Sequence, residues 1–277
     1  MNFIEIIKAI LLGIVEGITE WLPVSSTGHM ILLDEFIKLE VSEPFKELFF
    51  VVIQLGAICA VPLLFFDKLN PFSRKKSTEE KKNTWSLWFK VIVGVLPAAI
   101  IGFLLDDFFD EHFYNYIVVS ITLVVYGIAF ILIEKLNRGK AKRIERVEDI
   151  TYKDALFMGA FQVLSLIPGT SRSGSTIIGG LLGGVSRVAA AEFSFFMAIP
   201  VMIGASLLKI LKFVFDGFTA NALEVSLLGI GLVVSFAVSL AAIKFLMDFV
   251  KRHSFTAFGI YRIALGACVL VYFLTLG

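Results

Sequence analysis

Two short stretches carry charged and hydroxyl side chains where their neighbours are apolar: Glu16-Gly-Ile-Thr-Glu20-Trp-Leu-Pro-Val-Ser-Ser26-Thr-Gly-His29 and Gln162-Val-Leu-Ser-Leu-Ile-Pro168-Gly-Thr-Ser-Arg172-Ser-Gly-Ser-Thr176. Glu16 and Glu20 stand four apart, so a helix places them on one face, where they could share a divalent cation. The plainer alternative is a pair of partly hydrated acids. Ser25, Ser26 and Thr27 fall where a second short helix should begin. Its free N–H groups and dipole suit an anion, although ordinary N-capping uses the same residue types. Ser26 and His29, three apart, have the spacing of a hydroxyl nucleophile and its base.

In the second stretch, glycines let backbone amides approach a ligand, and Ser171, Ser173 and Thr176 donate to oxyanions. Arg172 adds a planar fork matched to phosphate oxygens. The bland reading is a Ser/Gly turn whose arginine snorkels to the surface. Each charge placed in a membrane costs about 2.5–3.5 kcal/mol, so a buried site for an anionic substrate is the better account.

The elements that must position these residues are membrane helices. Of 277 residues 57% are hydrophobic and 28 are Phe, with mean hydropathy +0.86. Apolar runs approach the roughly 20 residues that cross a bilayer, which leaves no room for a soluble domain. The fold class expected is an all-α polytopic membrane protein. A net charge of +1 names no partner and gives no reason to expect nucleic acid. Cys59 and Cys268 read as buried thiols rather than a disulfide. The N-terminal run, with Glu5 and Lys8, does not read as a cleaved signal peptide.

Six runs are long enough to span, at about 45–66, 85–105, 114–134, 189–213, 223–247 and 257–276. Two others are broken by Pro23 and by Pro168-Gly169, and read as re-entrant hairpins over about 3–39 and 155–185. Loops 67–84 and 135–153 are rich in Lys and Arg and read as cytoplasmic, while the acidic 106–113 reads as an outer loop. Both termini then lie outside. The single membrane domain divides into 1–134, a cytoplasmic linker 135–154, and 155–277. Each half is one hairpin followed by three spans, an inverted-topology repeat whose broken helices should meet near the midplane. Weak similarity supports a duplication: Leu22-Pro-Val-Ser-Ser-Thr-Gly against Ile167-Pro-Gly-Thr-Ser-Arg-Ser, and Gly13-x-x-Glu16 against Gly159-x-x-Gln162. Glu192, Lys209 and Lys244 read as interfacial anchors.

With these residues in view, the chain resembles the bacterial undecaprenyl-pyrophosphate phosphatases of the integral-membrane, bacitracin-resistance type. That family carries (E/Q)xxxE running into PVSSTGH, and PGxSRSGxT in its second half; Glu16 to Glu20, Pro23 to His29 and Pro168 to Thr176 match without departure. The resemblance implies removal of the terminal phosphate of undecaprenyl diphosphate, which returns the lipid carrier to peptidoglycan synthesis and affects bacitracin sensitivity. It also implies a divalent cation, Mg2+ or Ca2+, and a location in the bacterial plasma membrane with the site opening outward.

The expected partners are a polyprenyl diphosphate and membrane lipids, with a homodimer compatible. The expected chemistry has Glu20, Ser26, His29 and Arg172 catalytic; Ser25, Thr27, Ser171, Ser173 and Thr176 on phosphate; and Glu16 with Glu20 on the cation. Ser26 attacks with His29 as base, or His29 or water attacks instead. A lipid-phosphate flippase, or a phosphatase that also flips its product, would carry the same inverted-repeat signature.

Overall fold

The computed structural model describes residues 3–113 and 115–275. Its helices run in the order α1 (Phe3–Thr19), α2 (Ser26–Phe36), α3 (Glu43–Leu64), α4 (Phe66–Leu69), α5 (Thr78–Phe113), α6 (Tyr116–Leu136), α7 (Tyr152–Val163), α8 (Arg172–Leu182), α9 (Arg187–Phe215), α10 (Ala222–Arg252) and α11 (Thr256–Thr275). Six of them are long and apolar enough to cross a membrane: α3, α5 as far as Leu105, α6, α9, α10 and α11. This is a multi-pass all-α membrane protein. The expected span ends at Tyr114 and Leu276 lie outside the described residues.

Helix ends differ from the hydropathy limits where local capping extends them. α5 begins at Thr78 because the Ser77 hydroxyl accepts from the Glu80 amide while Glu80 accepts from the Ser77 amide, a capping box. It also passes a break at Leu105 (φ −127°, ψ 15°) and resumes, so 106–113 is helical rather than a loop. The turn into α6 falls to Asn115, whose side chain accepts from the Val118 amide.

Glycines let the helices approach closely. A methyl group on Gly159 of α7 would lie 2.0 Å from the Gly94 carbonyl of α5, and one on Gly56 of α3 would lie 2.2 Å from the Leu232 carbonyl of α10. Gly127 and Gly259 bring α6 and α11 together, and a methyl group on either would lie 2.6 Å from the other's carbonyl. α1 packs on α10 through Gly13 and Gly17, as α7 packs on α5 through Gly159. Each broken helix therefore leans on a long helix of the other half.

Polar contacts gather at two ends. At one, Glu5 holds Lys8 and the Glu40 amide, and Glu224 accepts from Ser42. At the other, Arg143 pairs with Asp154, Arg187 with Glu134 and Lys68 with Glu192. Cys59 and Cys268 are free but exposed, contrary to the expectation of buried thiols. On a membrane helix an apolar run says nothing about which face meets lipid, since hydrocarbon accepts a thiol as readily as a core does.

Gly159→Ala should cost about 1–3 kcal/mol or more through overpacking and lower the melting temperature in detergent. Gly204→Ala, with nothing within 4 Å of the new methyl, should be neutral or slightly stabilising. Equal melting temperatures for the two variants would contradict this packing.

Candidate active site

The two polar stretches fold into two helix starts with the same backbone. Ser25 caps α2 at φ 73° and ψ 102°, and Ser171 caps α8 at φ 72° and ψ 120°. They are the only non-glycine residues with positive φ among the described residues. Each serine hydroxyl accepts from an amide three residues on, Gly28 at 3.2 Å and Gly174 at 3.1 Å. Left-handed backbone at a non-glycine residue costs about 1–3 kcal/mol and persists only where surroundings enforce it.

Arg262 is the enforcing residue. It lies on α11 with 0% exposure. One terminal nitrogen donates to the Pro23 carbonyl at 3.2 Å; the other donates to Gly169 at 2.8 Å and Thr170 at 3.0 Å. Its guanidinium also lies 5.5 Å from the centre of the Tyr126 ring. One side chain thus grips the turn before each capping serine, from both halves at once. Thr122 of α6 supports the second turn by donating to the Pro168 carbonyl at 2.8 Å.

The equivalent positions 13 and 159, 16 and 162, 23 and 169, and 25 and 171 all stand 146 residues apart. Matching Pro23 to Pro168 by sequence sets the turns one residue out of this register. Prolines can slide within a turn, whereas a cap is fixed by its hydrogen bond.

Between the two starts, Arg172 reaches Glu20 at 3.0 Å with one nitrogen and the Ser194 carbonyl at 2.9 Å with the other. Ser26 donates to the second Glu20 oxygen at 3.0 Å, and Ser173 donates to the Glu20 carbonyl at 3.3 Å. Ser171 and Ser173 hydroxyls are 3.2 Å apart. The predicted residues Glu20, Ser26, Arg172, Ser171 and Ser173 therefore share one cluster, although 152 positions separate Glu20 from Arg172. Glu16 is 1% exposed, and its Oε1 lacks a partner, as do Arg172 Nε and Thr170 Oγ1. Unpaired buried polar atoms at one place are what a polar ligand would satisfy.

Two expected roles change. His29 does not meet Ser26. Its Nδ1 bonds the Ser25 carbonyl at 2.7 Å and its Nε2 bonds the Tyr261 hydroxyl at 2.7 Å, with the two rings stacked. A carbonyl only accepts, so Nδ1 carries a proton. Thr176 is fully buried; its hydroxyl donates back along α8 and pairs with Ser194 of α9 at 2.5 Å, so it docks helices instead of facing a ligand. Thr27 is half-buried at the start of α2.

Arg262 lies outside both polar motifs. An arginine inside an otherwise apolar span is itself a functional signal, and that signal was available.

Comparison with known proteins adds two findings. The model of the family described as bacitracin resistance protein BacA matches residues 9–268. An undecaprenyl-diphosphatase of Enterococcus faecalis is 60% identical over 274 residues, covering 99% of both chains. Similar proteins of the same name occur in Acetivibrio thermocellus, 59% identical over 271 residues, and Lactiplantibacillus plantarum, 55% identical over 270, each covering 98% of both chains.

Arg262→Met leaves three buried carbonyls without their donor and should destabilise the protein by about 3 kcal/mol or more. Amide exchange should rise at Gly28 and Gly174 together. Faster exchange at only one of the two caps would contradict a shared clamp.

Proposed function

The chain belongs to the bacitracin resistance protein BacA family, and on that premise we propose that it hydrolyses undecaprenyl diphosphate to undecaprenyl phosphate and inorganic phosphate. The observation that carries the reading is the pair of capped helix starts beside Arg172, Glu20 and Ser26. Two helix N-termini and an arginine make a site suited to several negative charges.

Glu20 holds Arg172 in the resting site as a phosphate would. An arriving diphosphate exchanges with that carboxylate, and Arg172 Nε, still unpaired, takes a further oxygen. The Glu20 carboxylate then accepts the Ser26 proton as Ser26 Oγ attacks the terminal phosphorus. The bond from that phosphorus to the bridging oxygen breaks, and undecaprenyl phosphate leaves with the bridging oxygen. Water next attacks the phosphoserine, releasing phosphate and restoring Ser26. Charge spread over the transferred group is met by Arg172, the Ser171 and Ser173 hydroxyls and the backbone amides. His29 fixes the Ser25 carbonyl, and thereby the start of α2, instead of serving as base to Ser26.

A divalent cation fits this donor set in part. Both Glu20 oxygens are engaged, Glu16 Oε1 is free, and no group of three or more metal-binding side chains occurs among the described residues. Glu16 and Glu20 are the residues that would hold the ion, a two-carboxylate set of the kind that suits Mg2+. An ion held there would supply positive charge against that developing on the phosphate oxygens.

The wider reading is an inverted-topology repeat, 1–134 and 155–277 about a cytoplasmic linker, with α1–α2 and α7–α8 as re-entrant hairpins from opposite faces. The matched caps, the exchanged packing of α1 and α7, and hairpin mouths at opposite polar ends support it. On the distribution of Lys and Arg, both termini and the mouth of the first hairpin lie on the outer side of the plasma membrane.

Purified protein in detergent, where transport cannot occur, should release inorganic phosphate from undecaprenyl diphosphate. Arg172→Ala and Glu20→Ala should lose about 100-fold or more in kcat. Wild-type protein inactive with divalent cations present would contradict the reading and favour a carrier. A trapped phosphoryl group should map to Ser26; its appearance on His29 would move the nucleophile there, and its absence would leave attack to water.

A further inference from the structure

The two hairpins are alike in backbone but unlike in exposure. Residues Ser173–Leu181 of α8 are buried throughout, whereas α2 is largely half-buried, including Ser26, Thr27 and His29. The site is therefore walled in on the α8 side and approachable on the α2 side. There α2 and α11 both pack on α6 but meet each other through side chains rather than by close helix packing.

Two ring pairs bridge this seam. His29 stacks on Tyr261 with centroids 5.6 Å apart, and Phe36 meets Tyr272 at 5.1 Å. On α11, positions 261, 265, 268 and 272 form one stripe, as 29, 32 and 36 do on α2. Leu32 and Leu265 each pack on Val119, Leu123 and Val269, which form the floor. Between the two ring pairs the outer side of the seam is accessible, since Tyr261 is 46% exposed and Cys268 is exposed.

We propose that the seam between α2 and α11 is the lateral portal through which the isoprenoid diphosphate passes between bilayer and site, with His29 and Tyr261 at its inner end. The proposal rests on the diphosphatase reading above and commits to that substrate as the occupant. Such a molecule needs a path with a polar inner end and a side open to lipid, because its head cannot cross hydrocarbon and its tail cannot cross a packed wall. The seam has both. Its polar end, the His29–Tyr261 hydrogen bond, follows directly on the Ser25 cap. Eleven residues of helix separate Tyr261 from Tyr272, about 16 Å, close to half of a 30 Å hydrocarbon layer. The outer end is ringed by Phe36, Tyr116, Tyr272 and Phe273, the aromatic composition of a membrane interface. A head group can thus slide from interface to mid-depth along one continuous edge while its tail stays in lipid.

Bulk placed in the seam tests this. Cys268→Trp should lower kcat/KM for undecaprenyl diphosphate at least tenfold in proteoliposomes. It should change hydrolysis of a detergent-soluble short-chain prenyl diphosphate less than threefold. Ala267→Trp, exposed on the same helix but off the stripe, should leave both within twofold. An unaffected long-chain substrate in Cys268→Trp, or equal losses in both tryptophan variants, would overturn the portal while the diphosphatase activity stands. If Cys268→Trp fails to fold, Cys268→Phe carries the same expectation. Wild-type protein that releases no phosphate from either substrate would instead overturn the functional reading itself.

Discussion

Everything at the centre of this molecule depends on one buried arginine holding the carbonyls of two distant turns. A guanidinium in an apolar helix needs acceptors, and Arg262 finds them in Pro23, Gly169 and Thr170. Those carbonyls stand just before the two serines with left-handed backbone. Their strain is therefore balanced by a charge-assisted contact that neither half could make alone. The result is geometric: two helix N-termini, far apart in the chain, are fixed side by side with their dipoles converging on one place.

In the structure Arg172 is already paired with an anion of the chain itself, Glu20. A buried ion pair is weak support for stability, because desolvating both charges offsets much of their attraction. Arg172 with Glu20 makes better sense as a contact that exchanges for substrate than as a brace. In the mechanism proposed above, that exchange would free the carboxylate that already accepts from the Ser26 hydroxyl. On that proposal, binding and activation are one event, driven by the higher charge of the incoming diphosphate.

Much of this was legible in the sequence because the membrane makes polarity expensive. Glu20, Ser26, Arg172, Ser171 and Ser173 stood out as unexplained cost, and they do meet. What failed to read correctly were matters of direction. Spacing alone suggested that His29 faces Ser26, but the imidazole turns back one helical turn to the Ser25 carbonyl. Thr176 looked like a phosphate donor, yet its hydroxyl is spent between α8 and α9. The acidic 106–113, between two apolar spans, reads as an outer loop, whereas α5 continues through it as helix past the break at Leu105. Arg262 is a single charge in a long apolar run and belongs to neither motif, so residue spacing gives it no partner.

The most direct test of one shared site is a double-mutant cycle between the two turns, measured as kcat on undecaprenyl diphosphate with folded protein in detergent. If Ser26 and Arg172 act on the same phosphorus, Ser26→Ala combined with Arg172→Lys should be little slower than the worse single variant. Losses that multiply, as they do for independent positions, would show that the two turns do not converge on one phosphoryl group.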